Sequence, residues 1–257
     1  MQSSFSNEFL NSPSGVGGMN IQLTNAGKRF NRDWIFRRLN YTFRQGISYA
    51  ITGPNGSGKS TLLQTVAGAI APSEGSVEYL YKTEDSRDKT QETRFKVQDS
   101  GHEEQLETGN RQLTTHHSPL TTENIYNYIA IVAPYLEVIE EMTAVEFLQF
   151  HNSFKPILTT ISINQILEIV GLKTATHKQI RYFSSGMKQR IKLAQAIFSD
   201  VPVLLLDEPC TNLDASGYDL YHQLINDYCK NKLIIVSSND VNEYDFCAEK
   251  LSILDYK

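Results

Sequence analysis

Nine consecutive residues, Gly53-Pro54-Asn55-Gly56-Ser57-Gly58-Lys59-Ser60-Thr61, constrain this chain more tightly than any other stretch. They follow the pattern G-x-x-x-x-G-K-[ST], a phosphate-binding loop. The apolar run at 47–51 reads as a short buried strand, and Leu62, Leu63, Val66, Ala67 and Ile70 recur at helical spacing after the loop. Strand, glycine-rich loop and helix is the context the motif requires. Gly53, Gly56 and Gly58 let the backbone curl with its N–H groups facing inward, where a side chain would obstruct the turn. The helix opening near Lys59 directs the positive end of its dipole at the same point. Lys59 is suited to reach the β- and γ-phosphates of a nucleotide, and Ser60 to put its hydroxyl on a magnesium ion.

At 257 residues the chain is long enough for one large domain or two small ones, with a full core. A net charge of −5 argues against a nucleic-acid partner. The three cysteines, Cys210, Cys229 and Cys247, show neither metal spacing nor a disulfide pattern, which suits a reducing cytosol. No run approaches the ~18–20 apolar residues of a membrane span, and the first residues lack the build of a signal peptide. The expected location is cytoplasmic, with any membrane association made through a partner.

Residues 1–18 are rich in Ser, Asn and Gly and read as a disordered leader before a domain running 19–257. Short strands are expected at 21–24, 34–39, 41–43 and 47–51, an antiparallel sheet beside the nucleotide core. Phe30 stands 23 positions before Gly53 and can either stack on an adenine ring or pack the small sheet. A turn at 72–76 leads to a strand at 77–80. From 82 to 122 the chain is polar and aperiodic and reads as a surface loop or disordered insertion. His102, His116 and His117 fall inside it and read as solvated histidines ahead of metal ligands.

The apolar run at 125–133 is a core strand entering Pro134, and the period then becomes helical. Ala144, Phe147, Leu148 and Phe150 form one stripe; Ile163, Ile166, Leu167 and Val170 form a second, ended by Gly171. Together they predict a helical subdomain at 136–182 inserted in an α/β frame. Val203-Leu204-Leu205-Leu206 is continuously apolar, as a strand buried on both faces must be, and ends in Asp207-Glu208. A further buried strand at 232–236 ends in Ser237-Ser238-Asn239-Asp240, and a last one is expected at 251–254. Strands alternating with helices give a mostly parallel sheet. Ligands bind such sheets at the carboxyl ends of the strands, where the loop at 53–61, Asp207 and Asn239 would gather. Asp207 would hold magnesium through water opposite Ser60. Glu208, one residue on, can orient or deprotonate a water attacking a γ-phosphate.

The sequence resembles the ATP-binding-cassette family, the ATPase subunits of ABC transporters, from about Ile21 to Leu254. Phe183-Ser184-Ser185-Gly186-Met187 stands where that family carries its signature, usually Leu-Ser-Gly-Gly-Gln, followed here by Lys188-Gln189-Arg190 and, 20 residues after Met187, by Asp207. The resemblance implies a P-loop NTPase fold and ATP with Mg²⁺ as cofactors. It implies that Ser184 and Gly186 contact the γ-phosphate of ATP held by a second protomer, and that Asp214 lies at the dimer seam. Each chain supplies each half once, so completion by a homodimer, or by a heterodimer with a second cassette, is implied.

Three sites depart from the family pattern. The signature has Phe183, Ser185 and Met187 in place of Leu, Gly and Gln. The position of the magnesium-facing glutamine carries Tyr135, with Glu137 and Glu140 as candidates to substitute. The position of the switch histidine carries Asn239, which can donate to a γ-phosphate but cannot shuttle a proton. Hydrolysis is therefore expected to be slow but real, since Lys59, Asp207 and Glu208 are all present. The leading reading is the energy-coupling subunit of a transporter, with the 135–146 region and the helical subdomain docking a polytopic membrane partner. The alternatives are an ABC ATPase outside transport, or a hydrolysis-impaired dimer that senses nucleotide.

Overall fold

The computed structural model describes residues 18–85, 89–98 and 125–257. The leader positions up to 17, the segment 99–124 and its three histidines lie outside the described residues.

Among the described residues two sheets form the frame. The first is antiparallel: β1 (Gly18–Phe30), β2 (Asp33–Phe43), β4 (Glu74–Asp85) and β5 (Lys89–Gln98) pair in the order β2-β1-β4-β5. The second is wholly parallel: β3 (Ser48–Thr52), β6 (Ile129–Val132), β7 (Val203–Asp207), β8 (Leu233–Ser237) and β9 (Glu249–Ser252) run in the order β6-β7-β8-β3-β9. Among the described residues five α-helices complete it: α1 (Lys59–Val66), α2 (Ala144–Phe154), α3 (Ile163–Ile169), α4 (Ser185–Ile197) and α5 (Ala215–Tyr228). The fold is that of a P-loop NTPase with a parallel core, an antiparallel sheet beside it and helices inserted between β6 and β7.

Apart from the edge strand β9, whose Glu249 and Lys250 are exposed, the strands of the parallel sheet are apolar on both faces because both faces are covered. Successive side chains point to opposite sides, and the core divides accordingly. Tyr49, Ile51, Ile129, Val203, Leu205, Leu233 and Ile235 pack with Leu62 and Val66 of α1 and with Ile21, Leu23, Phe36 and Phe43 of the antiparallel sheet. Ala50, Ala130, Val132, Leu204, Leu206, Ile234 and Val236 face the other way, against Phe147, Leu148, Ile166, Leu167, Ile191, Ala194 and Leu224 of α2–α5.

Local signals set the helix boundaries. Thr143 and Ser162 open α2 and α3 with full capping boxes, to Glu146 and Gln165 respectively. Asp214 opens α5, its carboxylate accepting from Gly217 N–H. The last turn of α4 is closed from a distance: the buried Lys232 donates to the carbonyls of Ile197 (2.9 Å) and Ser199 (2.6 Å).

Several expectations change. Residues 125–128 form a 3₁₀ turn before β6, so the strand is only four residues long. The final strand sits earlier, at Glu249–Ser252, and Ile253–Tyr256 is a 3₁₀ turn. Phe150 is exposed and stacks edge-on with Phe154 instead of entering the core. The polar stretch after 82 begins as a hairpin, with β5 paired to β4 from Ser76↔Gln98 to Asp85↔Lys89. Ladder hydrogen bonds there do not require apolar side chains, which is why hydropathy gives no sign of the strand.

Candidate functional site

The carboxyl ends of β3, β8 and β7 lie side by side, since Ile51 pairs with Ser237 and Ser237 with Asp207. Two inter-strand steps of about 5 Å put the loop after β3 and the acid ending β7 about 10 Å apart at their strand ends.

After β3 the chain turns through Pro54, Asn55 and Gly56, with Ser57 N–H donating to Pro54 O at 3.1 Å. Gly56 and Gly58 have φ of +74° and +100°, the left-handed region that glycine enters without strain. At Gly58 space matters as well: a Cβ would lie 2.2 Å from Ile35 Cγ2 of β2. Gly58 caps α1 without a side chain, and no acidic residue occupies the first turn. The first N–H groups of the helix therefore remain available to an anion. Lys59 is buried, and its ammonium donates to the carbonyls of Gly53 (2.9 Å) and Pro54 (3.3 Å) within the loop. Ser60 and Thr61 are half-buried beside it, while Pro54, Asn55 and Gly56 are exposed. Lys257 clamps the outside of the loop, donating to Ser57 O at 2.6 Å and Ile35 O at 2.9 Å.

Asp207 is buried at the end of β7, and Ser237 Oγ donates to its Oδ1 at 2.7 Å. Glu208 follows in a left-handed conformation, φ +44°, unusual for a side-chain-bearing residue. Its N–H bonds to Ser237 O at 2.9 Å, and its carbonyl accepts from Thr211 N–H (3.2 Å) and Oγ1 (2.9 Å). Ser238 N–H returns to Ile51 O at 3.3 Å, tying the loop after β8 to the base of the glycine-rich loop. Asn239 is exposed in that loop.

Tyr135 is half-exposed, and its hydroxyl takes a hydrogen bond from the side chain of Gln64 on α1. Burial, assisted by the negative charge of Asp207, pushes its pKa above the usual phenol value. Tyr135 thus stands between α1 and Asp207 as a neutral phenol. Of the two carboxylates weighed as its substitutes, Glu140 is ion-paired with Lys188 of α4. Glu137 lies near the Lys192 ammonium, whose pKa burial lowers and that carboxylate raises.

The remaining residues lie apart. Ser184 is exposed at the start of α4, where its hydroxyl accepts from Met187 N–H. A Cβ on Gly186 would come within 3.2 Å of Asn212 O, so the start of α4 abuts the turn after Glu208. Asp214 is committed to capping α5 and accepts from Ser216 Oγ at 2.8 Å, which with Gly217 N–H holds its carboxyl below the usual range. Among the described residues no hydrogen bond or ion pair joins Ser184, Gly186 or Asp214 to residues 53–61. Phe30 is exposed at the end of β1 with the Lys28 ammonium 5.4 Å above its ring.

Three residues close to this geometry escaped sequence reasoning: Gln64, Glu243 and Lys257. Gln64 sits among helical residues like any other. Lys257 and Glu243 reach the site through contacts of long sequence separation, for which one sequence carries no signal.

Comparisons with known proteins identify the family. The model of the ABC transporter family matches residues 36–211. An uncharacterized ABC transporter ATP-binding protein of Bacillus subtilis, YybJ, is 27% identical over 224 residues, 85% of each chain. The cytochrome c biogenesis ATP-binding export protein CcmA of Agrobacterium fabrum is 27% identical over 224 residues, 86% of this chain and 88% of its own. Among solved structures, a dimeric ATP-binding cassette in a post-hydrolysis state with ADP and Pi superposes with a TM-score of 0.65 at 20% identity, over 90% of this chain and 93% of that one. This chain belongs to the ABC transporter family, as an ATP-binding subunit with ATPase activity.

Proposed function

We propose that the protein is the energy-coupling subunit of a transporter, working as a dimer in which each site is completed by the partner copy. The observation that carries this reading is the division of the candidate residues. The loop at 53–61, Asp207 and Glu208 gather at the carboxyl ends of β3 and β7, while Ser184 and Gly186 lie at the start of α4, beyond the turn that follows Glu208. A triphosphate held by the first group would be met by the second group of another copy, which favours a two-fold, isologous contact.

Within a site, the N–H groups of the loop and of the first turn of α1 bind the phosphates, and Lys59 moves from its own loop carbonyls to the β- and γ-phosphates. Magnesium would be held by the Ser60 hydroxyl and, through water, by Asp207. Few protein ligands with waters and phosphate oxygens is its ordinary coordination, and it would neutralise charge on the phosphates. The donor set fits: Ser237 occupies one oxygen of Asp207, and among the described residues no cluster of three His, Cys, Asp or Glu competes for a metal. Glu208 orients the attacking water and accepts its proton. Tyr135, steadied by Gln64, hydrogen-bonds a water near Asp207, and Asn239 donates to the γ-phosphate. Neither residue relays a proton, so hydrolysis is slow. Phe30 offers its face to the adenine.

No helix among the described residues is long and apolar enough to cross a membrane. The protein would sit at the inner face of the membrane through a polytopic partner, docked by the segment after Tyr135 and the exposed Phe150–Phe154 pair of α2. Phosphate release by the purified protein tests the reading: it should exceed that of Lys59→Ala, and Glu208→Gln should elute as an ATP-bound dimer. Turnover equal to Lys59→Ala, or a monomeric Glu208→Gln under saturating ATP, would overturn it.

A further inference from the structure

Glu208 adopts a backbone conformation that an isolated peptide disfavours by ~1–2 kcal/mol. Something must hold the turn it begins. The turn runs from Glu208 to Thr211, and each of its peptides has a partner. Two of these come from side chains outside it. Gln189 of α4, buried, donates to Pro209 O at 2.6 Å. Glu243, also buried, accepts the N–H of Cys210 on Oε1 at 2.7 Å.

Glu243 is itself fixed. It ends the 3₁₀ turn Val241–Glu243, its N–H bonds to Asp240 O at 3.1 Å, and the buried Tyr221 hydroxyl of α5 donates to its carbonyl at 2.9 Å. Asp240 N–H in turn donates to Ser238 Oγ at 2.9 Å, and Tyr218 donates to Asp240 Oδ2 at 2.9 Å. One carboxyl thus joins the turn carrying Glu208 to the loop after β8 that carries Asn239. We propose that Glu243 is a positioning residue for hydrolysis, whose acceptor oxygen holds the Glu208 turn in register with the loop at Ser238–Asp240. It touches neither nucleotide nor water and acts through Cys210 N–H. The requirement is for an acceptor, not for a charge: burial raises the Glu243 pKa against hydrogen bonds from Ser238 and from Cys210 N–H, and the Asp240 and Glu208 carboxylates oppose ionisation further.

The inference rests on Glu208 being the hydrolytic carboxylate, so Glu208→Gln is measured alongside. Small displacements of a reacting group cost one to two orders of magnitude in rate. Glu243→Met should therefore lower kcat about tenfold or more, with ATP affinity and binding stoichiometry by calorimetry within about twofold of wild type. Glu243→Gln, which keeps the oxygen, should retain kcat within about twofold. A wild-type kcat in Glu243→Met would refute the proposal. So would equal loss in Met and Gln variants with intact ATP binding, which would assign the effect to charge. Loss of ATP stoichiometry in step with kcat would make Glu243 a scaffold residue only. Wild-type turnover by Glu208→Gln would instead remove the reading of Glu208, whatever Glu243 does.

Discussion

Acid should loosen this protein through one histidine. His151 on α2 faces the end of α4, with Nε2 2.8 Å from Ser199 Oγ and Nδ1 3.0 Å from Gln195 Nε2. Ser199 already donates its proton to Gln195 O at 2.6 Å, so it can only accept from the ring. Nε2 must therefore carry the hydrogen, and Nδ1 must accept from the amide. A second proton on Nδ1 would meet the Gln195 N–H. Burial, and then the nearby Lys155 ammonium, push the His151 pKa down to about 4. As pH falls through the unfolded value near 6.5, the unfolded chain takes up a proton that the folded chain refuses. Stability is lost between about 6.5 and 4 and the loss is complete below that. The full shift, 6.5 minus about 4, corresponds to about 3 kcal/mol at 1.36 kcal/mol per unit. The ring is only partly buried, so solvent screening brings this to about 1.5 kcal/mol, of which about 1 kcal/mol is lost by pH 5. Urea unfolding of wild type and His151→Gln at pH 7.5, 6 and 5 isolates the contribution from the carboxylates that titrate in both. The variant should be about 1 kcal/mol less stable at pH 7.5 and nearly equal at pH 5. A difference that stays constant across the three pH values would refute the assignment of the tautomer and of the charge state.

Two further perturbations read the frame. Gly58→Ala combines a left-handed φ with a Cβ 2.2 Å from Ile35 Cγ2. It should cost about 3 kcal/mol and lower the melting temperature together with ATP affinity, and an unchanged midpoint would mean that β2 yields freely. Lys232→Met removes the ammonium donor from Ile197 O and from Ser199 O, of which the second keeps the Val201 N–H at 3.0 Å. Against the relieved desolvation of the ammonium, a net loss of about 2 kcal/mol in urea unfolding is expected, and a Met variant as stable as wild type would show that α4 does not need the cap.

What the sequence discloses, and what it withholds, follows from the range of the forces involved. The glycine-rich loop is legible because its conformation is dictated by glycines within the loop itself, and β7 because burial on both faces leaves only Val and Leu there. α5 was legible too, since Tyr218, Tyr221, Leu224, Ile225 and Tyr228 repeat at helical spacing after Asp214, an N-cap residue, although no helix is among the expectations for 215–228. β5 was not, since its partner strand supplies the hydrogen bonds and its own residues are mostly polar. In the site, Lys59, Asp207 and Glu208 announce themselves by motif. Gln64 beside Tyr135, Glu243 beneath Cys210 and Lys257 across Ser57 depend on packing between distant segments, which residue type alone does not encode.

The parallel sheet acts as a partition between two interiors that share no side chain among the described residues. Neighbouring positions on one strand therefore report to different halves of the molecule: truncating Leu204 should soften the attachment of the helices, and truncating Leu205 the seat of α1 and the antiparallel sheet. Each interior can be resized by substitution without refitting the other, provided the strands between them keep their spacing. Apolar variation on the helical side thus leaves the packing around α1 untouched, while Gln189, Tyr218 and Tyr221 still tie that side to the turn carrying Glu208 and the loop after β8.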